Sequence, residues 1–249
     1  MSIVQTIILG VIEGLTEFLP VSSTAHLMIF SNLLNVSGSE FLKTFEITVQ
    51  LGAIFAVLFL YFKKIFSDFS LIKNIVVGFL PTGIAGLLFY KVFKSFLGNV
   101  WLALVMLFLG GIILILFEKF FKPRNEKLEL KKSFVVGLWQ SLALVPGVSR
   151  AMATILGGMV SGLSKQAAVE FSFLLALPTM FSATAYDLYK NYSLLNFSQW
   201  QTLLIGFVAA FLSAMVSVKF FLKFVEKNNF SGFGWYRIVF AILIFAILF

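Results

Sequence analysis

The sequence contains no cysteine and a single histidine, His26. Disulfides, thiolate catalysis, Cys-ligated zinc and any mechanism needing two imidazoles are therefore excluded. Charge is equally scarce. Of 249 residues only 12% are Asp, Glu, Lys or Arg, whereas 60% are hydrophobic and thirty-two are Phe. A soluble domain carries about 25% charged and about 45–50% apolar residues, so these side chains cannot clothe a surface in water. The mean hydropathy is +1.00. The solvent for most of the chain is lipid, and the net charge of +8 faces anionic lipid rather than nucleic acid.

The apolar residues fall into long runs. Thr44–Phe62 holds one charge (Glu46), Gln166–Tyr186 one (Glu170) and Asn228–Phe249 one (Arg237), while Asn74–Tyr90, Ser95–Phe117 and Asn191–Val218 hold none. Each is long enough, at about 1.5 Å per residue, to cross a hydrocarbon core of about 30 Å. Barrel strands would alternate instead. Met1–Gly14 is apolar but carries Glu13 and no basic flank, so no cleavable signal peptide is expected. The expected fold is an all-α polytopic membrane protein, 1–249 forming one membrane domain.

Two further apolar segments are broken. Ser2–Leu34 is interrupted at Pro20–Thr24 and Ser133–Leu163 at Pro146–Arg150, each piece being short for a full span and suited to a re-entrant hairpin. The breaks recur: Pro20 and Pro146 are 126 apart, Phe45 and Phe171 are 126 apart, and Gly78-Phe79 and Gly206-Phe207 are 128 apart. In each half a broken segment precedes three spans. The chain thus reads as about six transmembrane helices plus two re-entrant hairpins, in repeat halves 1–124 and 125–249. Parity inverts the second half. One membrane side then carries Lys63, Lys64, Lys73, Lys119, Lys122, Arg124, Lys127, Lys131, Lys132, Lys165, Lys219, Lys223 and Lys227; the other carries Lys43, Lys91, Lys94 and Lys190. The positive-inside rule makes the first side cytoplasmic and places both termini outside. Inverted, broken helices are frequent in secondary transporters, so transport is one expectation.

The first break concentrates chemistry. Glu13 and Glu17 share a helix face at i and i+4, and two carboxylates in lipid need a shared proton, a cation or a basic partner. A divalent, oxygen-loving ion such as Mg²⁺ meets that need. Ser22, Ser23 and Thr24 follow Pro20 and are expected to cap the next helix, whose free N–H groups form an anion site. His26 is close enough in sequence for its imidazole to approach one of these hydroxyls as a base. The plainer reading of the Ser/Thr cluster is a helix cap alone.

The second break places Arg150 in a long uncharged stretch, between Ser149 and Thr154. Guanidinium suits phosphate or carboxylate. Arg150 is expected either to neutralise Glu13 or Glu17 or to hold an anionic substrate that replaces them. Carboxylates for a cation, a hydroxyl with a base, and an Arg with helix N-termini for an anion are together the parts for phosphoryl transfer. Two-histidine lipid phosphatases are excluded by the histidine count, and zinc intramembrane proteases by the absent His-Glu-x-x-His. Arg237 is read as an interfacial, snorkelling side chain, and the Tyr236-Arg237 pair is given no role.

Glu13-Gly-Leu-Thr-Glu17-Phe-Leu-Pro-Val-Ser-Ser-Thr24-Ala-His26 and Pro146-Gly-Val-Ser-Arg150-Ala-Met-Ala-Thr154 resemble the two signatures of the undecaprenyl-diphosphate phosphatase, bacitracin-resistance family. Lys43-Thr-Phe-Glu46, Gln50-Leu-Gly52, Glu170–Ala176 and Asp187-Leu-Tyr-Lys190 extend the resemblance along the chain. It implies a bacterial cell-membrane enzyme that hydrolyses undecaprenyl diphosphate to undecaprenyl phosphate and phosphate, recycling the carrier for cell-wall synthesis and conferring bacitracin resistance. It implies catalytic roles for Glu17, Ser23, His26 and Arg150, and metal binding by Glu13 and Glu17 with Mg²⁺ or Ca²⁺. Phosphate contacts are expected from Ser22, Thr24, Ser149, Arg150 and Thr154. Ala25 stands where Gly is frequent, and Ala151-Met152 replaces the usual Ser-Gly. A site opening to the outer face is expected. Ser23, His26 and water all remain candidate nucleophiles, movement of a polyprenyl phosphate lipid is the alternative function, and the Phe-rich helices offer surface for a homodimer.

Overall fold

The computed structural model describes residues 1–36, 40–89, 92, 96, 99–121, 124–191 and 197–248, with backbone alone at 40, 186–188, 190–191 and 197–198. Lys91, Lys94 and Lys122, and the side chains of Asp187 and Lys190, lie outside the described residues. The described residues form ten α-helices and one 3₁₀ turn, with no strand. In chain order these are α1 (Ile3–Thr16), α2 (Ser23–Leu33), α3 (Glu40–Ser67), α4 (Phe69–Leu88), α5 (Val100–Phe120), α6 (Leu130–Ser141), the 3₁₀ turn Leu142–Leu144, α7 (Arg150–Val160), α8 (Lys165–Asn191), α9 (Phe197–Lys227) and α10 (Ser231–Leu248). The six long ones, α3, α4, α5, α8, α9 and α10, are the spans expected from the apolar runs. The fold is an all-α polytopic membrane protein.

Each broken segment is a pair of short helices, α1–α2 and α6–α7. Association between helices in lipid relies on close backbone approach and hydrogen bonds rather than on hydrophobicity. The first helix of each pair meets a long span of the other half: α1 packs on α9 and α6 on α4. A Cβ at Gly10 would lie 2.6 Å from Gly206 O, and one at Gly137 only 2.1 Å from Gly78 O. The residues matched by offset also meet across the halves, since Gly206 is walled by the Phe45 ring and Gly78 abuts Phe171. Helix ends inside a membrane leave carbonyls that cannot turn to water. Neighbouring spans supply donors for some of them: Ser217 Oγ to Leu15 O (2.8 Å) and Thr82 Oγ1 to Gly137 O (3.0 Å).

The turns themselves are strained. Ser22 (φ 68°) and Ser149 (φ 77°) occupy the N-cap positions of α2 and α7 with positive φ, and Gly147 (φ 91°), two residues before Ser149, is positive as well. For a residue with a Cβ this costs about 1–3 kcal/mol and persists only where the surroundings fix it. Ser149 caps α7 through its hydroxyl, which accepts from Met152 N at 3.2 Å. Ser22 makes no side-chain cap, contrary to the expectation for 22–24: in its left-handed conformation the backbone carbonyl serves His26, and the hydroxyl is left to border a cavity.

What fixes both turns is Arg237. Far from snorkelling to an interface, its side chain is 0% exposed. Its five N–H groups are all used on carbonyls: Nε to Leu107 O (3.1 Å), Nη1 to Pro20 O (3.0 Å) and Val148 O (3.2 Å), Nη2 to Met106 O (3.0 Å) and Gly147 O (2.9 Å). One guanidinium on α10 thus joins the first turn, the second turn and α5. The interfacial reading fails because turns buried in lipid need donors, and this is the fork that supplies them. Gly110 leaves the room: a Cβ there would sit 2.1 Å from Arg237 Nη2.

Arg237→Lys leaves carbonyls unserved, because an ammonium has three donors against five in a rigid fork. Each orphaned buried polar group costs about 1–3 kcal/mol. The expected outcome is a clearly lowered unfolding temperature for the purified protein in detergent. Gly110→Val, which pushes the guanidinium out without changing it, is expected to lower it comparably.

Candidate functional site

Glu17 ends α1 as its C-cap, directly before the first turn. Its side chain is 4% exposed. One carboxylate oxygen, Oε2, accepts from Ser23 Oγ at 2.5 Å, and the other, Oε1, accepts from Arg150 Nη2 at 2.8 Å. The carboxylate therefore links a hydroxyl of its own turn to the cation of the opposite turn. Of the two partners open to Arg150 from sequence, Glu17 is the one the fold supplies.

Arg150 is the first residue of α7, immediately after the strained Ser149. Its Nη1 donates to Ser172 O at 2.8 Å, and its guanidinium lies 5.6 Å from the centroid of the Phe18 ring. Phe18 in turn meets Phe173 edge-on at 5.2 Å. The planar group is thus held by a carboxylate, a carbonyl and an aromatic face, while Nε is buried without a partner. Thr154 lies one turn further along α7 and bonds to Arg150 O (2.8 Å) and Ser172 Oγ (2.6 Å). It is fully buried behind the guanidinium and does not border the cavity.

His26 is also set back. Its Nδ1 is 2.8 Å from Ser22 O, and its Nε2 is 2.7 Å from Tyr236 Oη. A carbonyl only accepts, so Nδ1 carries the proton and Nε2 of the neutral ring accepts from the phenol. Phe240 stacks on the imidazole at 4.4 Å. The expected approach of His26 to a hydroxyl as base is not what the fold builds. The Ser23 proton goes to Glu17, because α2 turns the imidazole towards α10.

A cavity of about 190 Å³ lies between the two turns. Glu17, Ser22, Ser23, Thr24, Ser149 and Arg150 border it, so the turns bring together six of the expected residues; Glu13, His26 and Thr154 lie outside its lining. Its lining also includes Gln50, Thr82, Gln140 and Thr179. The last three were not singled out in the sequence. The available signal was Pro inside an apolar span followed by Thr, at Pro81-Thr82 and Pro178-Thr179. Tyr236 and Ser172 were missed as well, since nothing local to either reveals a partner on another helix.

Glu13 is fully buried, and neither carboxylate oxygen has a hydrogen-bond partner. The charged groups around it are Glu17, Glu46 and Arg150. A buried, unbonded carboxyl one turn from a second carboxylate fits a hard cation. No cluster of three acidic, His or Cys ligands exists among the described residues, so such an ion would complete its shell with phosphate oxygens and water, as Mg²⁺ commonly does. Glu170, by contrast, pairs with Lys64 at the membrane edge.

Sequence comparison identifies the family. The chain is 50% identical over 249 residues to an undecaprenyl-diphosphatase of Sulfurihydrogenibium sp. (strain YO3AOP1), covering 98% of each chain. It is 47% identical over 245 residues to one of Aquifex aeolicus, covering 96% of each, and 47% identical over 249 residues to one of Wolinella succinogenes, covering 98% and 97%. The family described as bacitracin resistance protein BacA matches residues 6–243, a stretch containing both turns and Arg237, and the chain belongs to that family.

Proposed function

We propose that this protein hydrolyses undecaprenyl diphosphate to undecaprenyl phosphate and phosphate at the cavity between the two turns. In doing so it recycles the lipid carrier for cell-wall synthesis and confers bacitracin resistance. The observation that carries the reading is the Glu17 carboxylate bonded at once to Ser23 and Arg150. On this reading a nucleophile, its base and an oxyanion-binding cation meet at one point, and full-length relatives named as diphosphatases favour this chemistry over lipid movement without hydrolysis.

In the proposed reaction Arg150 and the N–H groups opening α2 and α7 bind the diphosphate, and the polyprenyl tail lies among apolar helices. Ser23 Oγ forms a bond to the terminal phosphorus as the bond to the bridging oxygen breaks. The hydroxyl proton passes to Glu17 and undecaprenyl phosphate leaves. Glu17 gives that proton up to the departing undecaprenyl phosphate. Water then attacks the same phosphorus, losing its proton to the restored carboxylate, which passes it to Ser23 Oγ as the serine–phosphorus bond breaks and phosphate is released. His26 orients Ser22 and Ser23 through the Ser22 carbonyl. Glu13, with Glu17, would hold a Mg²⁺ or Ca²⁺ ion, which when bound neutralises phosphate charge. The clustering of basic residues at one side favours outside termini and a cavity opening to the outer face.

Purified protein should release phosphate from undecaprenyl diphosphate. Glu17→Gln and Arg150→Ala should each lower kcat by about 10²-fold or more, the usual scale for a base or an oxyanion donor. Normal rates in both variants would falsify the assignment. Chelation should abolish release, and added Mg²⁺ or Ca²⁺ should restore it. Acid-quenched protein should carry label from terminal phosphate on Ser23; a label-free protein turning over at full rate points to direct attack by water.

A further inference from the structure

Gln140 stands near the end of α6, before the second turn, is 1% exposed and borders the cavity. Its Nε2 donates to Thr82 Oγ1 at 3.0 Å and to Thr179 Oγ1 at 3.1 Å. Both hydroxyls use their own protons elsewhere, Thr82 on Gly137 O and Thr179 on Leu175 O, each at 3.0 Å. Only lone pairs remain to face the amide, so the end-for-end orientation would set its oxygen against oxygen. The carboxamide is locked with its NH₂ on the threonines. Its Oε1 is a buried acceptor to which no group donates among the described residues.

Arg150, bordering the same cavity, presents the complementary case, because Nε is a buried donor without an acceptor. One orphan acceptor and one orphan donor thus belong to two residues that border one anion-binding space. A fully ionised oxyanion satisfies the guanidinium but meets the lone pairs of Gln140. A phosphate group that retains a proton satisfies both, with ionised oxygens for Arg150 and a P–OH for Oε1.

We propose that Gln140 is a specificity-determining residue that makes the cavity select a phosphate group carrying a proton, its P–OH donating to Gln140 Oε1. This rests on the diphosphatase reading and deepens it. The same preference covers the terminal phosphate of the substrate, which keeps a proton on part of the population at neutral pH, and the released phosphate, which keeps at least one on essentially all of it. Sulfate, similar in size and shape, keeps none. A site built to accept from a hydroxyl rejects an analogue lacking that hydroxyl far more strongly than a site shaped only for bulk.

The test is calorimetric titration of the purified full-length protein in detergent at neutral pH, with inorganic phosphate and with sulfate. Wild-type protein is expected to bind phosphate at least about tenfold more tightly than sulfate. Gln140→Met keeps the length and removes the acceptor; the ratio should fall towards one, chiefly through weaker phosphate binding. A role limited to bridging Thr82 and Thr179 would weaken both anions alike and leave the ratio intact. Wild-type protein that binds sulfate as well as phosphate, or neither anion, overturns the proposal whatever the variant does. Phosphate release from undecaprenyl diphosphate is measured on the same preparation. Hydrolysis without anion discrimination removes this inference alone, whereas absent hydrolysis removes the reading beneath it.

Discussion

The buried guanidinium of Arg237 is the constraint on which the remaining structure depends. Two helices broken inside lipid leave carbonyls with no water to receive them, and loops at that depth persist only where protein satisfies them. Arg237 meets three carbonyls of the two turns and two of α5 with five charge-assisted bonds. Each such bond is worth about 1.5–3 kcal/mol, and the whole set is needed against an effective penalty of several kcal/mol for burying a charge. Among the described residues no carboxylate shares the work; neutral carbonyl dipoles hold the cation. The strained Ser22 and Ser149 lie within two residues of the carbonyls it holds, so the geometry at the site is set from a helix that contributes no residue to the cavity lining.

That arrangement leaves the site's own charges free for chemistry. Arg237 carries the structural load, so Arg150 need not, and its bonds to Glu17 and Ser172 leave one N–H edge without a partner. Glu17 likewise serves as a hub rather than a brace, its two oxygens facing residues of opposite turns. The stacked Tyr236 and Phe240 keep His26 beside Ser22. Its ring nitrogens are both engaged, which is the property of a positioning group.

Much of this was legible in the sequence because lipid penalises ambiguity. Runs free of charge can only be spans, and Glu13, Glu17 and Arg150 stand out where every charge needs a reason. The pairing of Gly78 and Gly206 with Phe171 and Phe45 gives the offsets in the sequence a physical meaning, since each glycine is the gap that the ring of the other half fills. Arg237 was misread for an equally physical reason. A lone cation near a chain end looks like a snorkelling side chain until one knows that α10 packs on α5, with Gly110 opposite the guanidinium. His26 was misread because sequence proximity to Ser23 says nothing of the ring's direction, and its phenolic partner lies 210 residues away. Gln140 and its threonines escaped notice because neutral polar groups carry no penalty large enough to mark them.

The two turns share a frame but not a chemistry, and the difference has a cause. Both present a proline or glycine break, a serine with positive φ and a short helix whose N-terminus faces the cavity. Had both carried carboxylates, like charges would have faced each other in a medium that screens little; had both carried arginine, nothing would have held a serine proton. One turn instead supplies Glu17 and Ser23, the other Arg150, so opposite charges close the gap in the resting protein. In the proposed reaction an anionic headgroup entering that gap would find a cation already positioned and a hydroxyl already bonded to a carboxylate. The asymmetry of charge between two similar breaks is therefore what gives the gap an acidic side and a basic side held against each other.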